Sequence, residues 1–205
     1  MEPMSRDLKP TATSYLEGLA ATFTRIEITG RDGVALPLDD GIERAVSLIL
    51  GAGLGGRKVL LIGNGGSAAI VSHMHNDLCK AVGVRAMVFH ELPLLTALTN
   101  DHGYECVFDR PIGLWADPLD TLIAVSTSGE SLNILRGVKS AVDRGCRVLT
   151  MSGFQPTNRL RQLGELNVYV PAPSYGYVEL THSVLAHCLT DLAMTMTRAV
   201  AGSSV

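Results

Sequence analysis

A short apolar run, Val59-Leu60-Leu61-Ile62, stops at Gly63-Asn64-Gly65-Gly66, and a helical pattern opens at once near Ser67. This junction, within Lys58 to Asp77, constrains the chain more than any other stretch. A buried strand feeding a glycine turn and then a helix is half of a βαβ unit, whose strands run parallel and whose helices cover the sheet. The first N–H groups of a helix lack intrahelical partners, so the same turn is an anion-binding corner. His73 and Asp77 follow four residues apart on that helix and project from one face, about one turn apart.

Alternation of this kind continues to the end of the chain. Strands are expected at 58–62, 85–90, 120–126, 146–151 and 166–170. Helical patterns lie between them at 67–82, 131–144 and 157–163, with a further segment around 95–117 and a last helix from about Gly176 to Ala201. The apolar runs lack strict alternation, as parallel strands covered on both faces do. The expected fold class is therefore α/β, a doubly wound three-layer αβα sandwich with a five-stranded parallel sheet. Ligands of such a fold sit at the carboxyl ends of the strands. Two helices, at 11–28 and 38–50, precede the first strand, with a turn at Arg31-Asp32-Gly33 between them. No repeat or linker interrupts the pattern. The expectation is one domain over residues 1–205, with N-terminal helices in 11–54 and an α/β core over 58–201.

Composition narrows the class. Apolar residues make up 46% and charged ones 18%, which favours burial over disorder. A mean hydropathy of +0.23 leaves room for apolar surface buried between subunits. The net charge of -3 and the scattered Lys and Arg give no footprint for a nucleic-acid phosphate backbone. The few aromatics, Trp115 among them, form no stacking array for bases. The apolar stretches are too short to span a membrane, and the polar opening MEPMSRDLKP does not read as a leader. Cys79, Cys106, Cys146 and Cys188 form no CxxC pair and read as buried thiols of a reducing cytoplasm.

Several residue groups could carry chemistry. Ser126-Thr127-Ser128-Gly129-Glu130-Ser131 follows the strand LIAV directly. Three hydroxyls and a glycine at a strand-to-helix junction can surround a phosphate with O–H and N–H donors; the plainer reading is an N-cap with turn residues. Neither this loop nor GNGGS has the spacing of a dinucleotide fingerprint or a Walker A loop. Taken alone, His73 and Asp77 read first as a solvated helix face, and after that as metal ligands or as an acid and a base. His75 stands about 200° around the same helix and should not share their site. On the last helix Glu179 and His187 are about 80° apart around the axis, so a common broad face is open to them. His182 points elsewhere and reads as a packing or interface residue. Asn100-Asp101, before His102-Gly103-Tyr104, reads as a helix end.

Taken together, GNGGSAA with a His six residues after its Ser, ND-x-GY, STSG-x-S and a C-terminal Glu/His helix resemble the SIS (sugar isomerase) family. Order and spacing are nearest to its phosphoheptose isomerases, over nearly the whole chain. The resemblance implies that Ser126, Thr127, Ser128 and Ser131 hold a substrate phosphate. Asn64, Gly65 and Ser67 would contact the sugar, with Asp101 and Glu179 at the same pocket. His73, Asp77, Glu179 and His187 would bind Zn2+, and Asp77 and His187 would act as the catalytic acid and base. The implied reaction is conversion of sedoheptulose 7-phosphate to D-glycero-D-manno-heptose 7-phosphate through an enediol(ate), by a cytoplasmic homotetramer with sites at its subunit interfaces. Four positions depart from the family pattern: Asp77 stands for a Glu and Glu179 for a Gln, and Gly176 and Tyr177 replace an acidic and a basic residue. These departures open the alternative of a related seven- or eight-carbon sugar phosphate in a specialised pathway, such as antibiotic assembly. A non-catalytic SIS module that binds a sugar phosphate or a protein is the competing reading.

Overall fold

The computed structural model describes residues 11–202. Its elements, in chain order, are α1 (Ala12–Phe23), β1 (Glu27–Gly30), β2 (Ala35–Leu36), α2 (Leu38–Leu54), β3 (Val59–Gly63), α3 (Gly65–Asp77), β4 (Ala86–Val88), α4 (Leu92–His102), α5 (Asp109–Trp115), β5 (Thr121–Ser126), α6 (Leu132–Asp143), β6 (Arg147–Gly153), β7 (Leu166–Val170) and α7 (Tyr175–Gly202).

The expected five parallel strands form β4-β3-β5-β6-β7, but among the described residues the sheet has seven strands, in the order β2-β1-β7-β6-β5-β3-β4. The two additional strands run antiparallel beyond β7, with Ile28 opposite Val168 and Leu36 opposite Ile28. β1 begins at the end of the stretch where a single helix over 11–28 was expected, and β2 follows just before α2. Helix α1 stops at Phe23, and Glu27-Ile28-Thr29-Gly30 pairs with β7 instead. The β-branched pair Ile28-Thr29 suits a pleated edge, and Ile28 is buried beneath α2. The turn at Arg31-Asp32-Gly33 closes this hairpin, with Gly30 N–H donating to Val34 O.

Other differences are local and have local causes. Helix α2 runs past Leu50 to Leu54, and Gly53 packs against the Val84 side chain. The long pattern at 67–82 divides into α3 and a π-turn over Leu78–Val82. The 95–117 segment divides at Gly103 into α4, a short 3₁₀ turn and α5. At 157–163 only a 3₁₀ turn, Leu160–Gln162, forms. There the Leu160 N–H is committed to Gly129 O and the Arg161 N–H to Asn158 Oδ1, so a continuous ladder cannot build. Of the four thiols read as buried, Cys106 and Cys146 are, Cys188 is partly covered and Cys79 is exposed on the π-turn.

Two apolar layers flank the sheet. Val59, Leu61, Ile123, Val125, Leu149 and Met151 face α2, α3 and α7. Leu60, Ile62, Leu122, Ala124 and Val148 face α5 and α6. β3 lies between β4 and β5, so the chain leaves the carboxyl ends of β3 and β5 toward opposite edges. That is the switch point where doubly wound sheets hold ligands. Asn64 and Thr127 are the residues that follow these two strand ends. Among the described residues no helix is long and apolar enough to cross a membrane.

Candidate active site

At the end of β3 the chain turns through Asn64, in extended conformation, into α3. Gly63 passes so close to the Ser67 backbone that a Cβ there would lie 2.7 Å from the Ser67 carbonyl carbon. Ser67 is consequently buried in the first turn of α3. A Cβ on Gly66 would collide with the Glu179 carboxylate, which α7 brings over the start of α3. A carboxylate in that position faces the positive end of the helix dipole.

At the end of β5, Ser126 and Thr127 are buried, and the hydroxyl of Ser126 lies 3.4 Å from that of Ser131. Ser128 Oγ accepts from Glu130 N–H, and Gly129 N–H donates to Ser126 O, which curls the loop into the start of α6. Gly129 holds a φ of +66° and passes directly under the Asn158 side chain. Asn158, itself buried, donates to Ser152 Oγ and to the carbonyls of Gly153 and Gln155. Arg159 closes the loop's outer side on Glu130, whose carboxyl is held below its usual range first by the Arg159 backbone N–H and then by its guanidinium. Ser131 is the N-cap of α6 without a side-chain capping bond. The Thr127 hydroxyl is buried with no hydrogen-bond partner. A buried donor left open costs about 1–3 kcal/mol, so a ligand that accepts from it gains.

Helices α3 and α7 bring together a third group. His73 Nε2 is 3.3 Å from Asp77 Oδ2, and His187 Nδ1 is 3.7 Å from the same oxygen. The two imidazole rings meet edge to face at 4.8 Å between centroids. One ligand atom from each of the three residues lies within 4.8 Å of the others. Two imidazoles and a carboxylate with a further position open is the donor set of a catalytic zinc site, so these residues fit a divalent cation of that kind. Asn76 Nδ2 donates to Asp77 Oδ1 at 3.2 Å, leaving Oδ2 toward the histidines. Neither His75 nor Glu179 belongs to this group. His182 is fully buried; its Nε2–H donates to Ser152 O, and burial lowers its pKa to about 4.

Three residues around the site, Asn133, His90 and Asn158, escaped the sequence reading, and Tyr104 entered it only as the last residue of ND-x-GY. Asn133 exchanges two amide hydrogen bonds with Asn64, and Tyr104 donates to Asn64 Oδ1. His90, at the end of β4, meets Ser72 Oγ through Nδ1, while burial lowers its pKa and leaves Nε2 unpartnered. Asn158 lies far from STSG in sequence. Only Asn133 leaves a trace, as an amide beside the apolar positions Ile134, Leu135 and Val138 of α6. Asp101 is exposed in the last turn of α4, where Asn100 Nδ2 donates to its carboxylate.

The sheet order and this site define a class: the chain belongs to the SIS-domain family, whose model matches residues 31–153. Within it, the chain is 31% identical over 161 residues to a phosphoheptose isomerase of Citrifermentans bemidjiense, covering 76% of this chain and 83% of that one. It is 29% identical over 184 residues to the phosphoheptose isomerase of Shewanella denitrificans, covering 86% and 93%. The structure of a phosphoheptose isomerase from Francisella tularensis superimposes with a TM-score of 0.78 at 24% identity, over 90% of this chain and 98% of that one.

Proposed function

We propose that the protein is an aldose–ketose isomerase that converts sedoheptulose 7-phosphate to D-glycero-D-manno-heptose 7-phosphate. The observation that carries this reading is the group formed by His73 and Asp77 of α3, the helix that begins at the β3 end of the switch point, with His187 of α7. The buried, unpartnered Thr127 hydroxyl lies at its β5 end. The phosphoheptose isomerase relatives support the substrate.

In this account Ser126, Thr127, Ser128 and Ser131, with the open N–H groups at the start of α6, hold the phosphate at the far end of the sugar chain. Asn64, Gly65 and Ser67 align the reacting end, with Asp101 and Glu179 at the rim of the pocket. Binding the remote phosphate fixes the chain, so that binding energy helps to align the reacting carbons. A base removes a proton from C1 of the ketose, and an acid gives a proton to the C2 oxygen. The enediol then loses the proton on O1 and gains one at C2, which yields the aldose. Asp77 and His187 exchange these protons, and well-placed groups of this type contribute on the order of 10²–10⁴-fold. His73, Asp77 and His187 would hold zinc, which supplies a Lewis acid toward the carbonyl oxygen. Glu179, held over Gly66, takes the base role where Asp77 is committed to the metal.

The shorter Asp77 and the charged Glu179 also allow a related seven- or eight-carbon ketose phosphate as the specialised substrate. The exposed apolar residues Leu92 and Leu94 of α4, a helix with no buried residue, support a homotetramer that covers such faces. A cytoplasmic setting accords with free thiols at all four cysteines. The test is turnover of sedoheptulose 7-phosphate by purified protein with Zn2+. Appearance of the aldose supports the reading, and a folded protein inert toward every heptulose and octulose phosphate sinks it. Zinc content should fall in both His73→Ala and His187→Ala; unchanged content in both removes the ligand set.

A further inference from the structure

We infer that Asn133 is a positioning residue, which ties the sugar loop after β3 to the phosphate loop after β5 through a reciprocal amide pair with Asn64. The inference rests on the isomerase reading for its kinetic part and on geometry alone for the tether. Asn64 Nδ2 donates to Asn133 Oδ1 at 2.9 Å, and Asn133 Nδ2 donates to Asn64 Oδ1 at 2.9 Å. Asn133 Oδ1 also accepts the Ile134 N–H at 2.9 Å, which anchors the amide to the first turn of α6. Tyr104 OH donates to Asn64 Oδ1 at 2.9 Å, bringing in the segment just beyond Asp101.

The Asn64 amide thus gathers Tyr104 and Asn133, the latter in the first turn of α6 two residues past the 126–131 loop. An Asn amide offers two acceptor positions and two donor hydrogens. Here both acceptor positions of Asn64 and one donor hydrogen are spent inside the protein, leaving a single N–H for a ligand. Asn64 is therefore chiefly the centre of a framework, and the sugar must be met mainly by the backbone and side chains beside it. Asn133 is 3% exposed and Asn64 half-buried, so the Asn133 side of the pair is shielded from competing water. A reciprocally bonded, part-buried amide couple resists turning, because flipping either amide breaks both of its bonds to the other.

The consequence is a fixed span between the phosphate and the reacting carbons. Loosening it should impair alignment without emptying the phosphate cradle, since a displacement of about 1 Å can cost 10²-fold in rate. In Asn133→Ser, kcat should fall at least tenfold while the inhibition constant of inorganic phosphate stays within about twofold of the parent. Tyr104→Phe, on an exposed ring, should lower kcat severalfold with the same phosphate inhibition. A kcat within twofold of the parent in Asn133→Ser overturns the inference, as does phosphate inhibition that weakens in step with kcat. Should Asn133→Ser fail to fold, Tyr104→Phe decides alone, and an unchanged kcat there overturns it. If the parent itself turns over no heptulose phosphate, the isomerase reading fails separately. The tether is then read from proton exchange of the Asn64 side-chain amide, which Tyr104→Phe or Asn133→Ser must speed severalfold; unchanged exchange overturns it.

Discussion

Gly129 illustrates how single residues shape the candidate site. Its φ of +66° and its approach to Asn158 exclude a side chain. In Gly129→Ala the left-handed backbone alone should cost about 1–2 kcal/mol. The collision with Asn158 should also open the phosphate loop. Inorganic phosphate should then bind at least tenfold more weakly, as read by calorimetry; parent-like binding would contradict the cradle. His182 acts on stability instead. Burial depresses its folded pKa to about 4, below the value of 6.5 for an unperturbed imidazole. Between these values the unfolded chain binds the extra proton, so the contribution is whole above pH 6.5 and is lost as pH falls through the window. Urea unfolding at pH 7 and pH 5 should differ by on the order of 2 kcal/mol more in the parent than in His182→Gln. An equal pH dependence in the two proteins would contradict the assignment.

At the scale of elements, α1 is held mainly by an interlock with α7. A Cβ on Gly18 would collide with the Tyr177 hydroxyl, and a Cβ on Gly176 would lie 2.7 Å from the Tyr15 hydroxyl, so each tyrosine fills the place of a missing side chain. The two rings pack edge to face at 4.9 Å. Only Thr22 of α1 is fully buried, so this clasp carries much of its docking. Gly18→Ala should therefore speed amide exchange over residues 12–23 at least tenfold and leave β3, β5 and β6 unchanged, because locally held elements open separately from the core. Uniform protection across all of them would contradict the interlock. Gly176 and Tyr177, expected from the sequence to depart from the family pattern, are the α7 residues of this clasp. Sequence periodicity located α1, yet it ran the helix on to residue 28. β1 depends on pairing with β7 far downstream, and its Glu27 meets Arg161 across 134 residues of chain. The 3₁₀ turn at Leu160–Gln162 was misread for the same reason: its N–H groups go to Gly129 and Asn158.

For the whole molecule, what was legible followed from local rules. Apolar runs ending in Gly-rich or hydroxyl-rich turns announced β3 and β5, and with them both loops of the switch point. The i,i+4 spacing announced the shared face of His73 and Asp77. Which helix would face them was not legible. The packing of α7 on α3 brought His187 to Asp77 and left Glu179 at Gly66, a division that spacing along α7 could not make. Asn133, and the contact of Tyr104 with Asn64, stayed hidden because their meaning is a contact across the fold.

The central claim is that protons move between protein groups and C1 and C2 of a ketose phosphate. It is tested most directly by following sedoheptulose 7-phosphate with the zinc-loaded protein in D2O by proton NMR. The account predicts growth of an aldose phosphate that carries solvent deuterium at C2, abolished in Asp77→Asn. A folded, zinc-loaded protein that leaves the ketose unchanged and undeuterated would contradict it.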